Sequence, residues 1–172
     1  KMHYTGTIYR PPFEARSLLL QVTTGCSHNR CSFCTMYRDE PFRVEPLEQI
    51  EEDLAEARQY VPNITRVFLE NGDPFALSAD RLEQIAIMIH AYLPRVETIA
   101  MYASINNIKG KRDQELADLC IMGINDLNIG VESGYDPALE YMNKGFDAAT
   151  AGHELMRLKK AGIYYGANII FG

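Results

Sequence analysis

The chain predicts an α/β fold built on a parallel sheet, and three observations carry that expectation. Short apolar runs alternate with amphipathic helical stretches along the chain, the pattern of right-handed βαβ units. No GxGxxG follows the first apolar run, which argues against a dinucleotide-binding sheet. The chemically unusual residues fall just after the strand-like runs, where a (β/α) barrel gathers its functional loops. The alternation by itself is satisfied by a doubly wound sheet or by a barrel.

The elements follow in order. Tyr9-Arg10-Pro11-Pro12 reads as an extended lead-in within residues 1–16. Ser17 to Thr23 (SLLLQVT) is nearly continuous in apolar character, as expected of a buried strand. Pro46 to Tyr60 reads as a helix with proline in its first turn and Leu47, Ile50, Leu54, Ala57 and Tyr60 at helical spacing. The acids between them read as a solvated face. Thr65 to Glu70 (TRVFLE) is the second strand. Ser78 caps a helix running to about Leu93, stopped by Pro94, with Leu82, Ile85, Met88, Ile89 and Tyr92 on one face. His90 on that helix reads as structural.

Thr98 to Ala103 (TIAMYA) is the third strand. Tyr102, Ser104 and Asn106 alternate beyond its middle, so they either line a barrel mouth or solvate a loop. Asp113 to Met122 is a short helix with Leu116, Leu119 and Cys120 inward and Gly123 at its end. Leu127 to Val131 (LNIGV) is the fourth strand. Asp147 is placed to cap the next helix, with Ala151, Leu155 and Leu158 as its stripe and Gly162 as its stop. Ala167 to Phe171 (ANIIF) is the fifth strand.

Composition narrows the function. The chain has 172 residues and a net charge of −6, with 47% hydrophobic and 23% charged residues. That suits one globular domain with a sizeable core. The acidic balance argues against a general nucleic-acid-binding face. No apolar run reaches membrane-span length.

The cysteines cluster. Cys26, Cys31 and Cys34 fall within CSHNRCSFC, and Cys120 stands apart in an apolar helical stripe. This uneven usage implies a reduced compartment, expected to be cytoplasmic, and a metal-binding or redox role for the cluster. Structural zinc usually takes four ligands, and a fourth from His28 would strain the loop. Thiolate redox chemistry at the Cys31–Cys34 C-x-x-C pair leaves Cys26 without a role. Thiolates are the natural ligands of iron–sulfur clusters. Three ligands on a four-iron cluster leave one iron free to bind a small molecule, which suits catalysis better than electron carriage. The remaining alternative is a non-catalytic metal-binding or electron-transfer module, with zinc or an iron–sulfur cluster. Such a module leaves ENGDP (Glu70 to Pro74) and GVESG (Gly130 to Gly134) as coincidence.

The cysteine segment resembles the cluster loop of the radical S-adenosylmethionine superfamily, C-x-x-x-C-x-φ-C after the first strand, with φ aromatic. Cys31-Ser32-Phe33-Cys34 matches its second half, and the Ser27–Arg30 spacer is one residue longer than usual. Asn71-Gly72-Asp73-Pro74 is similar to the Gly-Gly-Glu-Pro element that holds the methionine amino group. Gly130-Val131-Glu132-Ser133-Gly134 and Met142-Asn143-Lys144-Gly145 resemble the GxESGS…MNKG stretch. That stretch marks the subgroup of methylthiotransferases and oxygen-independent coproporphyrinogen oxidases. Asn168-Ile169-Ile170-Phe171-Gly172 resembles the start of the element near the adenine, with Asn168 in place of glycine.

The resemblance implies a parallel partial (β/α) barrel of the TIM-barrel type over residues 17–172, with about five βα units present. It implies a four-iron cluster on Cys26, Cys31 and Cys34. S-adenosylmethionine would meet Phe33, Asn71, Gly72, Asp73, Glu132, Ser133 and Asn168. It implies an oxidoreductase or transferase that cleaves S-adenosylmethionine reductively to a 5′-deoxyadenosyl radical, which abstracts hydrogen from a substrate the sequence does not name. An external electron donor of the flavodoxin or ferredoxin type would reduce the cluster. No general acid or base is needed, and no catalytic side chain is assigned. The family's partial barrels usually have six strands, so the chain is expected to be truncated at its C-terminal end, with its last strand open to dimerisation or aggregation.

Overall fold

The computed structural model of the chain describes residues 16–24, 43–70, 73–130 and 148–168. The lead-in, the cysteine segment, the GVESG…MNKG stretch, Asp147 and residues 169–172 lie outside those residues.

The chain opens with β1 (Leu18–Gln21) and β2 (Thr23–Thr24), then β3 (Arg43–Val44) and α1 (Leu47–Tyr60). Next come β4 (Arg66–Glu70), a 3-10 turn (Pro74–Ala76), α2 (Ala79–Tyr92) and β5 (Thr98–Ala103). The remaining elements are α3 (Ile105–Lys109), α4 (Asp113–Ile121), β6 (Ile124–Gly130), α5 (Ala148–Ala161) and β7 (Tyr164–Asn168).

Five strands form one parallel sheet in the order β1-β4-β5-β6-β7. Spatial order equals chain order. A doubly wound sheet reverses direction at a switch point, and this one does not. Right-handed crossovers taken always in the same direction set every helix on one face of the sheet. That is the winding of a (β/α) barrel, left open here at β1 and β7 among the described residues.

Local signals place most element ends. Pro46 stands just before α1 in extended backbone instead of inside the first turn. Ser78 caps α2 by accepting from the Arg81 N–H at 3.1 Å. Gly123 and Gly162 end their helices at φ 96° and 86°, backbone that favours glycine. His90 is structural, its Nε2 lying 2.6 Å from the Met122 carbonyl oxygen.

Three expectations need correction. β6 begins at Ile124, before the expected Leu127, and β7 begins at Tyr164, before the expected Ala167. In both cases pairing with the neighbouring strand extends the ladder over residues whose own pattern is mixed. The alternation expected through Tyr102, Ser104 and Asn106 stops after Ala103. Ser104 instead caps α3, with its hydroxyl accepting from Asn107 and its N–H donating to the Asn107 side chain. A five-residue helix that buries Ile105 and Ile108 shows no readable period.

The main core lies between sheet and helices. Leu20, Val22, Val67, Leu69, Ile99, Met101, Leu127 and Ile129 meet Leu54, Leu82, Ile85, Ile89, Leu116 and Leu158 there. No described helix is long and apolar enough to cross a membrane.

Candidate active site

Strand geometry sends alternate residues to the face opposite the helices. The register aligns Leu19, Phe68, Ala100 and Asp126 across that face, and Gln21 with Glu70 and Tyr102 with Asn128 one step toward the C-terminal ends. The face is graded. At its N-terminal side Arg66 pairs with Asp126 at 2.8 Å. In the middle Phe68 and Ala100 are fully buried, and Phe68 meets Tyr102 edge to face at 5.4 Å. At the mouth stand Gln21, Glu70, Tyr102 and Asn128, with Glu70 0% exposed. A buried carboxyl needs hydrogen-bonding or charged partners to offset its desolvation.

The described flanks of the cysteine segment lie just beyond the C-terminal end of β1. β2 and β3, its two flanks, pair antiparallel, Thr23 with Val44 and Thr24 with Arg43. The return is tied to the sheet, since Glu45 donates its N–H to the Val22 carbonyl and the Gln21 side chain donates to Glu45 Oε1 at 2.6 Å.

The turn after β4 has a built polar underside. Asp73 precedes the 3-10 turn and is buried. Its Oδ2 accepts a long hydrogen bond, 3.4 Å, from Asn107 Nδ2 on α3. Lys111, in the turn between α3 and α4, is also buried. Its ammonium donates to the Phe75 carbonyl at 2.5 Å and lies 4.2 Å from the centre of the Phe75 ring. Burial pushes the Lys111 pKa down to about 8, while the carboxylates of Asp73 and Glu115 pull it back up. A cleft of about 270 Å³ opens beside Lys111, Asn107 and Ser78.

Of the sequence-assigned site residues, the described part holds Asp73 and the backbone of Asn168 in β7, opposite Gly130. Cys26, Cys31, Cys34, Phe33, Asn71, Gly72, Glu132 and Ser133 lie outside it. Sequence reasoning missed Gln21, Glu70, Asn107, Asn128 and Lys111. Glu70 carried a signal, an acid ending the apolar run VFL. Asn107 stood in ASINN (Ala103 to Asn107), the run after the third strand, while Lys111 carried no signal, its partner lying 36 residues away.

The mouth suits a polar ligand. Asn128 Nδ2 is buried without a hydrogen-bond partner among the described residues, a donor whose desolvation a ligand oxygen would offset. Gly166, across from Asn128 on β7, adds no side chain there.

No curated protein matches the chain. Among solved structures, the cobalamin-dependent S-adenosylmethionine radical enzyme OxsB is similar with a TM-score of 0.70 and 21% identity, over 90% of this chain and 24% of OxsB. Methylornithine synthase (PylB) gives a TM-score of 0.62 and 18% identity, over 89% of this chain and 44% of PylB. Coproporphyrinogen III oxidase (HemN) from Escherichia coli, a radical SAM enzyme, gives 0.62 and 15% identity, over 91% of this chain and 37% of HemN. The chain thus spans less than half the length of each, and at these identities the likeness shows a common fold. The family model for the Radical SAM superfamily matches residues 20–172. Enzymes of that family bind a four-iron cluster and S-adenosylmethionine, the two cofactors expected from the cysteine loop. With that match over nearly the whole chain, the protein belongs to the radical S-adenosylmethionine superfamily.

Proposed function

We propose that this protein is an enzyme that cleaves S-adenosylmethionine reductively and uses the resulting radical on a substrate bound at the open mouth of the sheet. The supporting observation is the antiparallel pairing of β2 with β3, which pins both flanks of the cysteine segment at the C-terminal end of β1. Cys26, Cys31 and Cys34 are the proposed ligands of the four-iron cluster. When bound, that cluster would supply one electron to the sulfonium of S-adenosylmethionine, whose carbon–sulfur bond would then break to give methionine and a 5′-deoxyadenosyl radical. The residues of the chain bind and orient. Phe33 is a proposed contact of S-adenosylmethionine. Asn71, Gly72 and Asp73 hold the methionine amino group. Glu132, with Ser133, contacts the ribose. Asn168 lies toward the adenine. The buried Phe68–Ala100 layer closes the floor of the mouth to water. The electron comes from an external donor of the flavodoxin or ferredoxin type. Family membership does not favour the alternative of a non-catalytic metal module.

Anaerobic reconstitution with iron and sulfide tests the reading. The spectrum of a four-iron cluster is expected, changing when S-adenosylmethionine is added. Alanine at Cys26, Cys31 or Cys34 abolishes it, while Cys120→Ala keeps the iron. Glu132→Ala keeps the cluster and weakens cofactor binding by on the order of 1–3 kcal/mol. A colourless protein holding one zinc overturns the proposal.

A further inference from the structure

We propose that Lys111 is a positioning residue for cofactor binding, acting with Asn107 to hold the Asp73 carboxylate and the start of the 3-10 turn in place. The inference rests on the role proposed for Asp73 toward the methionine amino group.

The geometry supports it in three steps. The Lys111 backbone is itself pinned: Arg157 on α5 donates to the Lys111 carbonyl at 2.5 Å and to the Ile108 carbonyl at 3.1 Å. The Arg157 guanidinium is fixed in turn by Asp113 and Glu154, each at 2.6 Å. The Lys111 side chain then crosses to the turn after β4, where its ammonium reaches the Phe75 carbonyl and lies near the Asp73 carboxylate. Asn107, locked by its reciprocal bonds with Ser104, presents its amide to the same carboxylate. A carboxylate meant to hold a ligand's amino group needs to be ionised and rigid. A cation behind it and a locked amide beside it provide both conditions. A purely structural role explains this arrangement less well, because a buried ammonium is costly where an apolar side chain would pack.

The charged groups facing Lys111 are Asp73 from the post-β4 turn and Glu115 from α4. Arg112 is bound to Glu115, and Arg157, Asp113 and Glu154 are engaged with one another at the Lys111 backbone. Lys111 loses its proton near pH 8, so its hold on Asp73 weakens above that.

The test measures S-adenosylmethionine affinity by equilibrium dialysis on the anaerobically reconstituted protein, with iron content and melting curve alongside. Lys111→Met is expected to keep its iron and bind at least tenfold more weakly at pH 7. Lys111→Arg is expected to recover most of that loss. The ratio of the Lys111→Met and wild-type dissociation constants shrinks as pH rises from 7 to 9, and the cofactor's own titration cancels in that ratio. Wild-type affinity in a folded Lys111→Met overturns the inference alone, as does a ratio that ignores pH. If Lys111→Met does not fold, Asn107→Ser gives the same readout: weaker binding supports the inference and unchanged affinity overturns it. A wild type that forms the cluster but does not bind S-adenosylmethionine overturns the functional reading, and this inference with it.

Discussion

The two faces of the sheet are built to different rules. Toward the helices, Leu20, Val67, Leu69, Ile99, Met101, Leu127 and Ile129 are aliphatic and essentially fully buried. On the opposite face the same strands carry Gln21, Arg66, Glu70, Tyr102, Asp126 and Asn128, around a small apolar centre of Phe68 and Ala100. The contrast separates stability from chemistry. Apolar burial against the helices supplies the folding free energy. The other face takes up polar groups beside that small apolar centre.

Truncation on the helix-facing side gives the largest effect. Leu69→Ala leaves a cavity in the apolar core, where Leu69 is fully buried, and is expected to destabilise by about 2–5 kcal/mol. Urea denaturation measures this, and a loss under about 1 kcal/mol would show that the core relaxes around the gap.

Lys111, in the turn between α3 and α4, comes next. Its pKa is about 8 in the folded protein against 10.5 unfolded. The unfolded chain therefore binds this proton more tightly, and holding the buried ammonium charged costs stability below about pH 8. That cost is relieved as pH rises toward the unfolded value. The wild type should gain on the order of 1–3 kcal/mol from this group between pH 7.5 and 10. Lys111→Met should lack that increment, and matching pH profiles from denaturation of the two proteins would refute the assignment.

The inner ion pair is smaller. Arg66 and Asp126 are about a third exposed, at 30% and 31%. Arg66→Met should cost under about 1 kcal/mol, with the difference fading in high salt. A larger, salt-insensitive loss would make this face a stability element and blur the contrast.

Asn128→Leu is expected to move stability least, about 0–0.5 kcal/mol in either direction, because the replaced amide has no partner on Nδ2 among the described residues. Its affinity for S-adenosylmethionine or substrate should fall nonetheless. A large destabilisation with unchanged ligand binding would make Asn128 a structural residue.

Much of the fold was legible because helical stripes report burial locally. Leu82, Ile85 and Ile89 recur on one helix face, and Ser78 announces where that helix starts. Strands buried on both faces are harder. VFLE shows no alternation, so nothing in it says that Val67 and Leu69 meet the helices while Phe68 and Glu70 face the mouth. For the site, the spacing of Cys26, Cys31 and Cys34 and the GVESG stretch were readable as strings and led to the family. Asp73 was readable only as part of such a string.

The sequence by itself determined the alternation of strand and helix, the helix ends at Ser78, Gly123 and Gly162, and the membership of a superfamily. Each of these depends on residues near one another in the chain. Tertiary structure alone decided the strand order, and with it that the sheet winds in one direction. It also decided that Lys111 and Asn107 reach the turn after β4, and that Arg157 holds Lys111 from behind across 46 residues. The physical reason is that a long-range polar contact is set by how elements pack, and neither partner leaves a period in the chain to mark it.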